Sequence, residues 1–275
     1  MTLVVTGATG QLGGRVAARL AAAGRPQTLL VRDPSRAPDL PGATVVRGAY
    51  GDRVAALEGA RTVLMVSASE TPDRVDLHRA FVDAAADAGI GHLVYVSFYG
   101  AAPDATFTLA RDHWATEEHI RASGLPFTVL RDNLYADFLP AMVGPDGVIR
   151  GPAGDGQVAA VARDDIADAA VAVLGSPADH AGAVYSLTGP QALTLSEAAA
   201  VISAATGRTV TYHPETVEEA YRSRASYGAP GWQVDAWVST YTAIAAGELA
   251  TVTGDVERLS GHPATSLAEL LGGVS

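Results

Sequence analysis

From residue 2 the chain reads Thr-Leu-Val-Val-Thr-Gly-Ala-Thr-Gly-Gln-Leu-Gly-Gly, a short apolar run over Leu3 to Val5 that breaks into glycines at 7, 10 and 13. Leu12, Val16, Ala17 and Leu20 then recur at the three-and-four spacing of a helix with one apolar face. The pattern predicts strand, tight turn, helix. Further apolar runs follow at intervals: Gln27 to Val31, Thr44 to Arg47, Thr62 to Ser67, His92 to Ser97 and Phe127 to Leu130. Helical stretches separate them. One follows Gly51-Asp52 and ends near Gly59. The next takes Thr71 as its cap, Pro72 as its first residue and Gly89 as its stop. A third covers roughly 104 to 123 and stops at Gly124, with Leu109, His113, Thr116 and Ile120 on the face toward the sheet. Strands alternating with helices predict an α/β fold, a doubly wound parallel sheet with right-handed crossovers.

Beyond Asn133 the pattern loosens into an excursion over about 134–158, marked by Pro140, Gly144, Pro145, Gly147, Gly151, Pro152, Gly154 and Gly156. The core then resumes with a helix over Asp164 to Leu174 and a strand over Ala183 to Leu187. Thr194-x-x-Glu197 and Thr216-x-x-Glu219 are capping boxes that open two more helices. Trp232, Trp237 and Tyr241, with Phe138 and Tyr135, are either the walls of an apolar pocket or plain core.

The glycine turn has a specific chemistry. Gly7 turns off the strand, Gly10 lets the backbone approach a pyrophosphate, and Gly13 lets helix and strand pack closely. A helix N-terminus presents free N–H groups to an anion. Gly7, Thr9, Gly10, Gln11, Leu12 and Gly13 are therefore the expected diphosphate cradle. The spacing Gly-x-x-Gly-x-x-Gly differs from the usual dinucleotide fingerprint, and 29 glycines in 275 residues yield chance spacings. The position between a strand and a helix singles this one out. About 20 residues on, where a dinucleotide fold meets the adenosine ribose, stand Arg32 and Arg36. They are the expected clamp for the 2′-phosphate of NADP(H), while Asp33 leaves room for NAD. Ser67-Ala68-Ser69-Glu70 is small and polar at a strand end; Ser67, Ala68 and Ser69, with Ser97 at the next strand end, are expected beside the cofactor's nicotinamide ribose. An ordinary strand-to-helix loop is the alternative. The expected division is a dinucleotide-binding domain over 1–190 and a smaller, mainly helical, substrate-covering lobe over 191–275.

Composition narrows the classes. A formal charge of −11 argues against nucleic-acid and anionic-membrane partners. The chain has no cysteine, so disulfides and thiolate chemistry are excluded. Apolar strand residues begin at position 3 with no basic stretch before them, so no signal peptide and a cytoplasmic location are expected. All 19 basic residues are arginine. The absence of lysine excludes Schiff-base chemistry, the P-loop lysine and the tyrosine–lysine pair of ordinary short-chain dehydrogenases. The histidines show no paired ligand spacing, and no metal site is expected.

Taken together, Thr6-Gly-Ala-Thr-Gly-Gln-Leu-Gly13, Leu30-Val-Arg-Asp-Pro34, Ser67-Ala-Ser-Glu70, His113-x-x-x-Glu117, Leu130-Arg-Asp-Asn133 with Tyr135, Ala153-Gly-Asp-Gly156 and Gly261-His-Pro-Ala-Thr265 resemble the NmrA-like atypical short-chain dehydrogenase/reductases, and within them the type 2 NADPH quinone oxidoreductases. The resemblance implies NADPH across the strand ends, with an apolar or aromatic small-molecule substrate between the sheet and the C-terminal lobe. It also implies that His113 and Glu117 stand where other short-chain reductases carry their catalytic tyrosine and lysine. Two departures concern the substrate: Ala68 replaces an expected serine, and Phe98-Tyr99 follows Ser97 where the quinone reductases are aliphatic.

Tyr99 is the candidate to hydrogen-bond the acceptor oxygen, or else an aromatic packed beside the cofactor. His113 either orients the nicotinamide ribose or acts as an acid, the structural alternative being a pair with Glu117. Asn133 is a candidate amide partner for nicotinamide or substrate. A quinone-like conjugated acceptor suits a site without a strong acid. Imine, enone or biosynthetic aromatic substrates, and a non-catalytic redox sensor, are the other readings. A monomer or homodimer is expected.

Overall fold

The computed structural model describes residues 2–52 and 57–272. The chain begins β1 (Leu3–Thr6), α1 (Gln11–Ala22), β2 (Gln27–Val31), β3 (Ala43–Arg47) and β4 (Thr62–Val66). It continues α2 (Arg74–Asp87), β5 (His92–Phe98), α3 (Thr108–Ala122), β6 (Phe127–Asp132), β7 (Val148–Gly151), β8 (Gln157–Val158), α4 (Arg163–Gly175) and β9 (Val184–Leu187). The last part holds β10 (Leu193–Thr194), α5 (Leu195–Thr206), β11 (Thr211–Pro214), α6 (Val217–Arg224), α7 (Gly231–Ala245), α8 (Asp255–Ser260) and α9 (Leu267–Gly272).

Among the described residues the main sheet has seven strands in the order β3-β2-β1-β4-β5-β6-β9. The pairs β1–β2, β1–β4, β2–β3 and β4–β5 are parallel, with Val5 opposite both Leu29 and Leu64. Chain order therefore runs outward in one direction from β1 and in the other from β4. Between such strands the carboxyl ends open a crevice, and ligands bind there in open α/β sheets. Gly7 follows β1 and Ser67 follows β4, so both expected cofactor segments flank this switch point.

The chain divides into two compact units. One takes the described residues up to Phe98 with Asp112–Arg131 and Arg163–Tyr185. Its core clusters Val4, Leu30, Val63, Met65, Phe81, Val82, Leu93, Tyr95 and Ile120, fully or nearly fully buried. On its opposite face Arg19 of α1 reaches α4, with Nε 2.7 Å from Asp168 and Nη2 2.7 Å from Asp164. The other unit takes Tyr99–Arg111, Asp132–Ala162 and the residues from Ser186 on. It thus includes segments that the sequence reading placed within residues 1–190. Its small sheets pair β8 with β10 and β7 with β11.

Several sequence expectations shift. The helix expected between Gly51-Asp52 and Gly59 falls for the most part on residues 53–56, outside those described. Thr71 does not cap α2: the helix starts at Arg74 after Asp73, and the Thr71 carbonyl accepts from the Arg74 N–H in a preceding turn. The third helix starts at Thr108 rather than 104. The Thr106 N–H and hydroxyl go to the Glu248 carboxylate, at 3.1 and 2.5 Å, and the Thr108 N–H goes to Ser239 Oγ at 3.1 Å. The Thr108 N–H is the one that a helix from 104 would have turned back to residue 104, and its bond to Ser239 replaces that first helical hydrogen bond.

Candidate functional site

The turn after β1 is built for close approach. Gly7 has φ +66°, the left-handed region that favours glycine. A Cβ on Gly13 would lie 2.4 Å from the Gly7 carbonyl oxygen and 2.9 Å from that of Thr6, so only glycine lets the first turn of α1 sit on the strand end. Gly10 is the N-cap and offers no side-chain cap, and the first turn of α1 holds no acidic residue. The amides that open the helix are left for an outside acceptor, in the field of the positive helix end. Leu12 buries its side chain in the core, so its share in an anion cradle is its main-chain N–H alone.

Arg32 and Arg36 are exposed, on and after the strand end of β2, and among the described residues neither side chain has a hydrogen-bond partner. Asp33 caps the turn over Pro34–Arg36, accepting from Ser35 N at 3.0 Å and Ser35 Oγ at 2.7 Å. The Ser35 bonds, with Arg36 and Arg47 nearby, hold its carboxyl below the usual range. One oxygen of Asp33 is thus committed to its own turn. Between β1 and β4 lies a residue the sequence reading passed over. Tyr50 donates its hydroxyl to the Val66 carbonyl and sits 2.5 Å from Thr6 Oγ1, which also accepts from Val66 N–H. Burial pushes that phenol far above its ordinary value.

The loop after β4 is held from beneath. Ser67 and Ala68 are half-buried and Ser69 is exposed. The Ala68 N–H donates to His78 Nε2 at 2.8 Å, and the Ala68 carbonyl accepts from Arg74 Nε at 3.0 Å. Arg74 and His78 lie one turn apart on α2. Behind them, Arg74 Nη2 lies 2.9 Å from His113 Nε2, and His113 Nδ1 lies 2.9 Å from the Tyr95 hydroxyl. His78 Nδ1 meets Thr116 Oγ1 at 2.9 Å. Burial, then the Arg74 guanidinium, lowers His78 to about 3 and His113 well below its ordinary value.

His113 is therefore not paired with Glu117. It is buried, neutral and engaged at both nitrogens, which removes the proton an acid would need and the free edge a ribose would meet. Glu117, fully buried, receives Arg131 Nε and Nη2 at 2.8 and 2.7 Å, Arg121 Nη2 at 3.0 Å and Ser97 Oγ at 2.6 Å. Ser97 is itself fully buried, its hydroxyl turned inward to that carboxylate.

Within the second unit, Tyr99 is half-buried; its N–H donates to the Asp132 carbonyl at 2.8 Å, and among the described residues its hydroxyl has no hydrogen-bond partner. Asn133 is fully buried: Nδ2 donates to the Leu249 carbonyl at 3.0 Å and Oδ1 accepts from Leu134 N–H at 2.8 Å. Both ends of that amide are committed to the fold, so the expected direct contact with nicotinamide or substrate does not fit. Of the expected aromatic wall, Tyr241 lies under the Arg224 guanidinium at 5.1 Å, Trp237 meets Tyr227 edge-on, and Phe138 is 53 % exposed. Among the described residues no group of three His, Asp or Glu side chains could hold a metal ion, and no helix is long and apolar enough to cross a membrane.

Sequence reasoning missed Arg74, His78 and Tyr95. It placed Thr116 with His113 on the sheet-facing side of the third helix, but nothing in the four-residue spacing of Arg74 and His78 says that α2 turns that face onto the same strand.

Residues 7–177 match the family described as NAD(P)H-binding. Quinone oxidoreductase 2 of Escherichia coli (strain K12) is 35% identical over 278 residues, covering 97% of this chain and 96% of that protein. The NAD(P)H azoreductase of Xenophilus azovorans is 34% identical over 276 residues, with 97% and 96% covered. A crystal structure of the Escherichia coli NADPH-dependent quinone oxidoreductase, complexed with NADPH, superposes with a TM-score of 0.89 at 34% identity, covering 100% of this chain and 99% of that one.

Proposed function

The chain belongs to the NAD(P)H-binding family and is an NAD(P)H-dependent oxidoreductase of the quinone oxidoreductase and azoreductase kind, and we propose that it uses NADPH to reduce a quinone-like conjugated acceptor. NADPH, when bound, supplies the hydride. The chain's own residues hold and orient. Main-chain amides of Thr9, Gln11, Leu12 and Gly13 would take the diphosphate, while Gly10, whose own N–H goes to the Gly7 carbonyl at 2.8 Å, would let the backbone approach it; the space that only glycine leaves at Gly13 supports this role. Arg32 and Arg36 would take the 2′-phosphate. Among the described residues neither side chain makes a hydrogen bond or ion pair, and one Asp33 oxygen is committed to Ser35, which together favour NADPH over NADH. Ser67, Ala68 and Ser69 would line the nicotinamide ribose.

One observation carries the choice of acceptor: the positions that resemble a catalytic pair have no proton free to give. His113 is neutral with both nitrogens engaged, Glu117 only accepts, and the chain has no lysine. Reduction of a simple ketone leaves a strongly basic alkoxide that wants a positioned acid; a reduced quinone is a delocalised, weak base that takes protons from water. Tyr99, its hydroxyl without a partner among the described residues, is the donor that would hydrogen-bond the acceptor oxygen. His113, Ser97 and Asn133 act as positioning residues.

Initial rates of NADPH oxidation with a panel of quinones and simple ketones test this. Turnover is expected with the quinones and none with the ketones. Tyr99→Phe should lower kcat roughly tenfold or more and leave the NADPH KM within about twofold, as loss of one donor to the reacting oxygen does. Ketones reduced as fast as quinones, or a Tyr99→Phe chain with unchanged kcat, would refute the reading.

A further inference from the structure

The two side chains beneath the loop after β4 do not touch the expected ligand, yet they grip both polar main-chain atoms of Ala68. We propose that Arg74 and His78 are positioning residues that preset residues 67–69 to receive the nicotinamide half of the dinucleotide; the proposal rests on the NADPH reading above. Each hydrogen bond in the clamp leaves one proton arrangement. His78 Nε2 faces an N–H, so it accepts; its proton is then on Nδ1 and goes to Thr116 Oγ1, whose own hydroxyl goes to the Asp112 carbonyl at 2.8 Å. On the other arm Arg74 donates from Nε to Ala68 and from Nη2 to His113 Nε2, which leaves Nδ1–H of His113 to donate to Tyr95. A flipped tautomer of His78 would set N–H against N–H at Ala68. The loop's resting position is thus tied to the facing helix α3 and to β5 through neutral imidazoles.

Arg74 shows that stability alone does not explain the arrangement. The residue is 5 % exposed, its Nη1 has no hydrogen-bond partner among the described residues, and the carboxylate of Asp112 lies 3.6 Å away. A buried guanidinium that is incompletely satisfied costs free energy that an apolar residue of similar size would not. What the guanidinium adds here is direction: two donors at fixed angles, one on the loop carbonyl and one on His113.

Calorimetric titration separates the halves of the cofactor, using NADPH and adenosine 2′,5′-bisphosphate, which lacks the nicotinamide ribose. Arg74→Met and His78→Leu should each weaken NADPH by about tenfold, the size expected when one buried hydrogen bond to the loop is lost, and change the bisphosphate by less than about twofold. His78→Gln offers Ala68 N–H an acceptor at a similar reach and should stay within about threefold of the wild-type chain for NADPH. Retained bisphosphate binding doubles as the check that each variant is folded. The clamp is overturned if both ligands weaken together in the variants, if neither does, or if His78→Gln loses as much as His78→Leu. A wild-type chain that binds neither ligand would sink the cofactor assignment, and the clamp with it.

Discussion

At the residue scale, small groups and committed groups do different work. Gly13 matters for what it lacks: a methyl there would drive into two carbonyl oxygens, so the helix end could not reach the strand end. Arg32 matters for its exposure, a guanidinium with no hydrogen-bond partner among the described residues, standing where a dinucleotide fold meets the adenosine ribose. Arg32→Asp should raise the KM for NADPH by about tenfold or more and leave that for NADH within about twofold, because a lost charge-assisted contact to phosphate, replaced by repulsion, affects only the phosphorylated cofactor. Steady-state kinetics with both cofactors reads this, and an equal effect on the two would remove Arg32 from phosphate binding. The glycine turn after β1 and the place of the arginines after β2 were legible from spacing along the chain. His113 was legible as a residue of interest, but its role was not. Its partners Arg74 and Tyr95 lie 39 and 18 positions away, and no periodicity connects them.

At the scale of elements, the reading succeeded where structure is decided locally. Both capping boxes form as expected: Thr194 and Thr216 each accept from the backbone N–H three residues on, and Glu197 and Glu219 reach back to the cap amide. Thr194→Ala should cost about 1 kcal/mol, the usual value of such a cap. Urea unfolding would show this as a lower midpoint with an unchanged slope, and an unshifted midpoint would mean that α5 is held by its packing alone. Element starts failed where distant groups compete. The third helix is expected from about 104, but Ser239 takes the Thr108 amide that such a helix would have turned back to residue 104. Thr71-Pro72 looks like a helix start, yet α2 waits for Arg74, whose side chain is pulled to the loop before it.

For the whole molecule, two buried histidines should weaken the fold as pH falls. His78 is held to about 3 and His113 well below its ordinary value, by burial first and then by Arg74; the polar groups facing them are Ala68 N–H, Arg74, Tyr95 and Thr116, with Tyr50 and Arg131 also near. In the unfolded chain both return to about 6.5. Below that pH the unfolded chain takes up protons the folded chain refuses, so stability falls as pH drops; above it neither state is protonated and this contribution is constant. The slope is about 1.4 kcal/mol per pH unit for each imidazole until its folded value is reached. Urea midpoints should therefore decline below about pH 6, and His78→Gln should make the decline shallower by about one imidazole's share. An unchanged slope in that variant would mean that His78 titrates normally in the folded chain. The amino-acid sequence by itself determined the doubly wound sheet, the glycine turn at its switch point and the arginines after β2, because strand alternation, helical periodicity and the conformational range of glycine are properties of neighbouring residues. Only the tertiary structure decided that His113 and Asn133 are held rather than free, that Glu117 binds arginines, and that two α2 side chains support the loop of Ala68. Buried hydrogen bonds must each find a partner, and which partner is available is fixed by how the helices lie on the sheet.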